Sequence, residues 1–154
     1  MSSVQDQVNV QATFENQTPD RLDLMKIETY SGFFQDGGPS GTIEQGGLTS
    51  FVHNGTPPKG SKVGVAYRGY RGNQWVLAWH VPQPFPSELP AIAHNKVLGK
   101  HVREGETIDW EKIENELDDP STTDKVNSPY FKAKITPMGS KAELVVEFIN
   151  LPRA

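Results

Sequence analysis

Cysteine is absent from this 154-residue sequence, which excludes a disulfide framework, a cysteine-ligated zinc centre and a thiol nucleophile. A cysteine-free chain suits a reducing compartment. Long apolar runs are also missing: no stretch approaches the roughly 20 residues that span a bilayer. Met1 to Gln7 lack the basic patch and apolar block of a secretory signal. The expectation is a soluble, cytoplasmic protein in which the N-x-T triplets at Asn16 and Asn54 are unmodified turns. Strong charge is lacking too. With 15 basic and 19 acidic residues the net charge is −4, too mild a balance to predict a polyanion, and nucleic acid is not an expected partner.

What the chain does have is 14 glycines and 12 prolines set among β-branched and aromatic runs, the composition of a mostly antiparallel β protein. The stretch Ser61 to Pro82 organises the rest. Val63, Val65 and Tyr67 alternate with Lys62, Gly64, Ala66 and Arg68, Gly69 and Gly72 mark a turn, and Trp75 to Val81 is an apolar run suited to burial on both sides. Val8, Val10, Ala12 and Phe14 predict a first strand. Leu22 and Leu24 begin a second, whose change of phase at Met25 and Ile27 predicts a bulge before Tyr30. The glycine-crowded segment from Ser31 to Gly47 reads as a loop headed by Phe33 and Phe34, and Leu48 to His53 as a third strand. After Pro82, prolines at 84, 86 and 90 predict an extended surface segment, and Ile92 to Val102 a returning strand.

One helix is predicted from about Thr107 to Leu117, with Thr107 as its cap, because Trp110, Ile113 and Leu117 fall on one face. A loop then leads to a last hairpin, Tyr130 to Thr136 and Ala142 to Ile149. The whole, residues 1–154 with a flexible 1–7, is expected to be a single domain of about nine strands and one short helix.

The sequence carries few motifs of catalysis or metal binding. No serine lies in G-x-S-x-G, and the glycine run from 37 to 47 lacks the Lys-Ser/Thr ending of a phosphate loop. His53, His94 and His101 show no ligand spacing, so neither metal nor cofactor is expected. Trp75, Trp79 and Trp110 read as core. The Arg68-Gly69-Tyr70-Arg71 tip, with Tyr67 beside it, sets cations next to aromatic rings and can meet another protein or a ligand. The acidic face carrying Glu111, Glu114, Glu116, Asp118 and Asp119 reads as solvated, or as a receiver for a cationic group near His80.

The order of landmarks, Phe51 to His53 as F-x-H, Gly60 to Arg68 as G-S-x-V-G-V-x-Y-R, Trp79 to Pro82 as W-x-V-P, and Gly139 to Ala142 as G-S-x-A, resembles the actinoporin-like β-sandwich. Within that group it is most similar to the jasmonate-induced stress proteins of plants. The resemblance implies a mainly β, antiparallel sandwich and a headgroup groove between the sandwich and its helix. The family's groove valine and proline correspond to Val63 and Pro82, its serine to His80, and its helix Y-E-E-L-Y-Y to Trp110 through Asn115, where Glu114 and Asn115 replace the paired tyrosines. The aromatic loop after the proline keeps only Phe85. A choline cage needs several aromatic faces, and here most are gone. The amphipathic N-terminal segment required for a pore is also absent from the seven residues before the first strand.

The expected function is therefore a non-lytic stress or defence protein binding a small polar ligand, a glycan or a lipid headgroup, with peripheral membrane contact but no insertion. Its expected ligand residues are Tyr30, Ser31, Val63, His80, Pro82, Phe85, Trp110 and Glu114. The alternative is an enzyme using His80 and Glu114 as acid and base in the same groove. Open sheet edges also allow a homodimer.

Overall fold

The computed structural model describes residues 8–82, 95–138 and 141–149. The site candidate Phe85, most of the proline-rich segment and the N-terminal residues 1–7 lie outside the described residues. Strict alternation along β1 (Asn9–Asn16) buries Val10, Ala12 and Phe14 and turns Gln11 and Thr13 outward. The bulge expected in β2 (Leu22–Ser31) is present as a register shift between Leu24 and Lys26, with a second between Thr29 and Ser31.

Two sheets form. The first has the order β3 (Phe33–Gln35), β5 (Leu48–Asn54), β1, β11 (Lys141–Phe148), β10 (Phe131–Met138) and β9 (Lys125–Asn127). The second runs β4 (Thr42–Ile43), β2, β6 (Ser61–Arg68), β7 (Gln74–Val81) and β8 (Lys96–Val102). Their inner faces enclose one core in which Phe14 meets Phe51 edge-on at 4.9 Å and Phe148 at 5.5 Å, geometries that suit the ring quadrupoles. The architecture is the mainly β sandwich expected.

The strand assignments and pairing differ from expectation in three respects. The Ser31 to Gly47 segment contains β3 and β4, and the loop after the helix contains β9. These strands have only two or three residues, too short to show a period of two. The sandwich is also not wholly antiparallel, because β1 pairs with β11 in parallel, Val10 beside Ala142.

The helix α1 (Trp110–Leu117) is capped by Asp109, whose carboxylate accepts from the Lys112 N–H at 3.1 Å, rather than by Thr107. It packs Ile113 and Leu117 on Ala66, Val76, Ala78 and Leu98 of the second sheet. Gly64 is where it seats most closely: a Cβ there would lie 2.7 Å from the Trp110 ring. That close approach is why a glycine stands between Val63 and Val65 in this buried strand.

Candidate functional site

Alternation on β6 sends Val63, Val65 and Tyr67 into the core and Lys62, Gly64 and Ala66 toward α1. Lys62 is only 2% exposed. Its ammonium lies 2.8 Å from Asp118 and 3.2 Å from Glu114, so the buried charge is compensated on two sides. Lys59 adds a second, more exposed cation 3.5 Å from Glu114. On β7, His80 faces the same space. Its Nε2 is 2.8 Å from the Lys59 carbonyl and must donate to it, while Nδ1 stands 3.8 Å from Asp118. Burial is the main cause that lowers the His80 pKa; Lys62 and Lys96 lower it further, against the Lys59 carbonyl and Asp118, which raise it.

Of the expected ligand residues, His80 and Glu114 lie beside Lys62, and Tyr30 meets Trp110 at the start of α1. The Tyr30 hydroxyl donates to the Trp110 carbonyl at 2.5 Å. Its pKa is raised by burial first, then by Glu28, Glu114 and Asp109. Ser31 sits at the edge, bonded to the Thr56 carbonyl at 3.3 Å, and half-buried Pro82 follows β7. Val63 does not reach this side, because the strand's alternation turns it into the inter-sheet core, 0% exposed.

The residue that the sequence reading missed is Lys62, which looked like an outward position of an alternating strand. The acidic helix face does receive a cation near His80, and the chain itself supplies it. The aromatic tip is corrected in part: Tyr67 is buried in the core and donates to the Ser40 carbonyl at 2.7 Å.

A second histidine carries a reactive-looking partner. His53 Nδ1 lies 2.7 Å from Ser61 Oγ, which also accepts from the Trp79 indole at 2.9 Å. Both His53 and Ser61 are 0% exposed, so no substrate reaches this serine. Burial lowers His53 to about 4, which keeps it neutral at pH 7.

The opposite outer face, that of the six-stranded sheet, differs in kind. Gln11 and Thr13 of β1, Ser50 and Val52 of β5 and Glu143 of β11 line a cleft of about 440 Å³, with Gln35, Asp36 and Gly38 along another side. Thr13 and Ser50 are directly opposite, their hydroxyls 3.3 Å apart. Gln11 has Glu143 on one side and Val52 on the other. Asp36 adopts a left-handed φ of 55°, a conformation that Asp tolerates better than most residues. Lys141, two residues from Glu143 on the same face of β11, is exposed, as are Lys125, Lys132 and Lys134 farther along the sheet. Lys134 is directly opposite Lys125, and among the described residues none of the four forms an ion pair.

Among the described residues no group of three or more His, Asp or Glu is placed to hold a metal ion, and no helix is long and apolar enough to cross a membrane. No protein-family model matches the sequence, and no curated protein matches it. Solved structures do. The lipid binding protein Nakanori is 16% identical, with a TM-score of 0.76 over 95% of this chain and 73% of that one. The Xerocomus chrysenteron lectin is 12% identical, with a TM-score of 0.51 over 91% of this chain and 99% of that one. At such identities the likeness is one of fold.

Proposed function

We propose that this chain is a recognition protein without catalytic activity, binding a polar ligand that is a lipid headgroup or a glycan and leaving membranes intact. The observation that carries the reading is the state of its chemistry-capable side chains. His80 donates to a backbone carbonyl, Glu114 holds two ammonium groups, and the His53–Ser61 pair is sealed in the core. General acid–base work needs a group within reach of a substrate proton; Glu114 is engaged, His53 and Ser61 are enclosed, and His80 leaves only Nδ1 uncommitted on a side chain that is 15% exposed.

Support also comes from the fold's company, since a protein described as lipid-binding and one described as a lectin share it. The F-x-H, G-S-x-V-G-V and W-x-V-P elements support the finer reading, a cytoplasmic stress or defence role like that of the jasmonate-induced proteins. On the helix side a choline-type cation meets a place already filled by Lys62, so a ligand there contacts the rim formed by Lys59, Ser31, His80 and Pro82.

The test is binding of the purified chain to lipid and glycan arrays, alongside His80→Ala with its fold checked by circular dichroism, and dye release from vesicles. The expected result is a hit on one array with no dye release. Absence of binding on both arrays overturns the recognition reading, and dye release overturns the non-lytic part.

A further inference from the structure

The cleft on the bare face of the six-stranded sheet lies on the far side of the sandwich from His80 and α1, and its lining has a definite chemical character. Its volume of about 440 Å³ falls within the roughly 300–1,000 Å³ of small-ligand sites. Its polar side chains come from four separate places: β1 supplies Gln11 and Thr13, β5 supplies Ser50, β11 supplies Glu143, and the end of β3 with its turn supplies Gln35 and Asp36. The parallel pairing of β1 with β11 sets Gln11 beside Glu143, and the antiparallel pairing of β1 with β5 sets Thr13 beside Ser50. A rigid sheet therefore holds most of these groups in fixed register.

We propose that this cleft is a saccharide site that takes an uncharged, hydroxyl-rich sugar. Two primary amides and two hydroxyls each both donate and accept, and two carboxyl groups accept strongly. A sugar hydroxyl is likewise donor and acceptor, so a polyol matches the capacity these groups keep beyond the Thr13–Ser50 contact and the Asn54 amide that donates to Gln35. The charge of the lining disfavours the obvious competitors. Among the described residues its only ionisable members are Asp36 and Glu143, and the lysine next to them, Lys141, lies outside the lining about 7 Å along β11 from Glu143, so a phosphate headgroup or an acidic glycan in the cleft meets two carboxylates before any ammonium. A simple cation would satisfy the carboxylates but leave the amide and hydroxyl donors unmatched. Phe34 packs inward against Phe51 and His53, so Phe33 and Gln35 share the outward face of β3. Phe33, 50% exposed and about 7 Å along the strand from Gln35, adds an apolar ring near the cleft for the C–H face of a sugar.

The inference rests on reading the chain as a binding protein but not on the helix-side rim. The same sugar chemistry reaches the cleft as a free glycan or as a glycolipid headgroup. Two probes separate these sources: an array of neutral and sialylated glycans, and phosphatidylcholine vesicles with or without a neutral glucosylceramide. Wild type is compared with Gln11→Ala, Glu143→Ala and His80→Ala, each checked by thermal melting; Gln11 and Glu143 are exposed, so these two variants are expected to fold.

The expected result is binding to neutral glycans, to glucosylceramide vesicles, or to both, weakened about tenfold or more by Gln11→Ala and by Glu143→Ala. Binding that survives both cleft variants and is lost in His80→Ala overturns the saccharide cleft and leaves the recognition reading standing at the helix side. Preference for sialylated glycans or for plain phosphatidylcholine overturns the uncharged-sugar assignment alone. No binding to any probe overturns both.

Discussion

On the face that α1 covers, Lys26, Lys59, Lys62 and Lys100 each lie against a carboxylate. On the bare face Lys125, Lys132, Lys134 and Lys141 do so nowhere among the described residues, and two of them are set directly opposite each other. Solvent explains the difference at Lys62, which is 2% exposed: beneath the helix a lone ammonium loses its water and needs a partner at hydrogen-bond distance, whereas the pairs of Lys26 and Lys59 stand largely in water. On the bare face water screens the same charge. The covered face is consequently committed to holding the protein together, whereas the bare face is free to meet something else.

Acid should strain the covered side and the core beneath it most. His53 titrates at about 4 when folded and near 6.5 when unfolded. Between those values the unfolded chain binds the extra proton, so stability falls as pH drops through this window and is fully present above it. The loss approaches about 3 kcal/mol below the folded value, and the lowered pKa of His80 acts in the same direction. Urea unfolding across this pH range should show the slope, and His53→Gln should flatten it; an unchanged slope would remove His53 as its cause.

Lys62→Ala comes next. Breaking a buried pair costs about 3–5 kcal/mol, and because Asp118 and part of Glu114 keep contact with water the expected loss is about 2–3 kcal/mol. A loss below about 0.5 kcal/mol, within the range of ordinary surface changes, would make the two faces equivalent. Gly64→Ala forces the Trp110 ring away and should lose about 1–2 kcal/mol through overpacking. A blue- or red-shifted Trp110 emission is its local readout, with Trp110→Phe identifying the contributing indole. Smallest is Lys134→Ala, expected within about 0.5 kcal/mol of wild type and on the stabilising side, because it relieves a like-charged cross-strand pair. Adding salt should shrink that gain. A large destabilisation would mean that the bare face is structural after all.

The sequence made the long elements legible because their periods are long enough to count. Val10, Ala12 and Phe14 announce β1, and the slipped phase at Met25 announces its bulge. The two- and three-residue strands offer no period. Asp109 and Thr107 are both acceptable caps in sequence, and only the helix start selects Asp109. Among site residues, Glu114 and His80 were visible as a potential pair, but their shared partner Lys62 was hidden by strand alternation, which distinguishes the two sides of a strand without saying which side a helix will cover. The cleft was invisible for a similar reason. Gln11, Gln35 and Glu143 each look like ordinary outward residues, and only the strand order β3-β5-β1-β11 makes them neighbours.

That strand order also sets a timetable for synthesis. Until β11 arrives, the six-stranded sheet exists as two fragments, β3-β5-β1 and β10-β9, each with an unsatisfied edge facing the gap. With ribosomes adding about 5–20 residues per second, β1 waits on the order of ten seconds for its parallel neighbour. During that interval its exposed ladder groups are open to pairing with other nascent chains. Ribosome-bound intermediates stalled before residue 141 should accordingly be the most aggregation-prone, and the final strand acts as the stitch that ends the hazard.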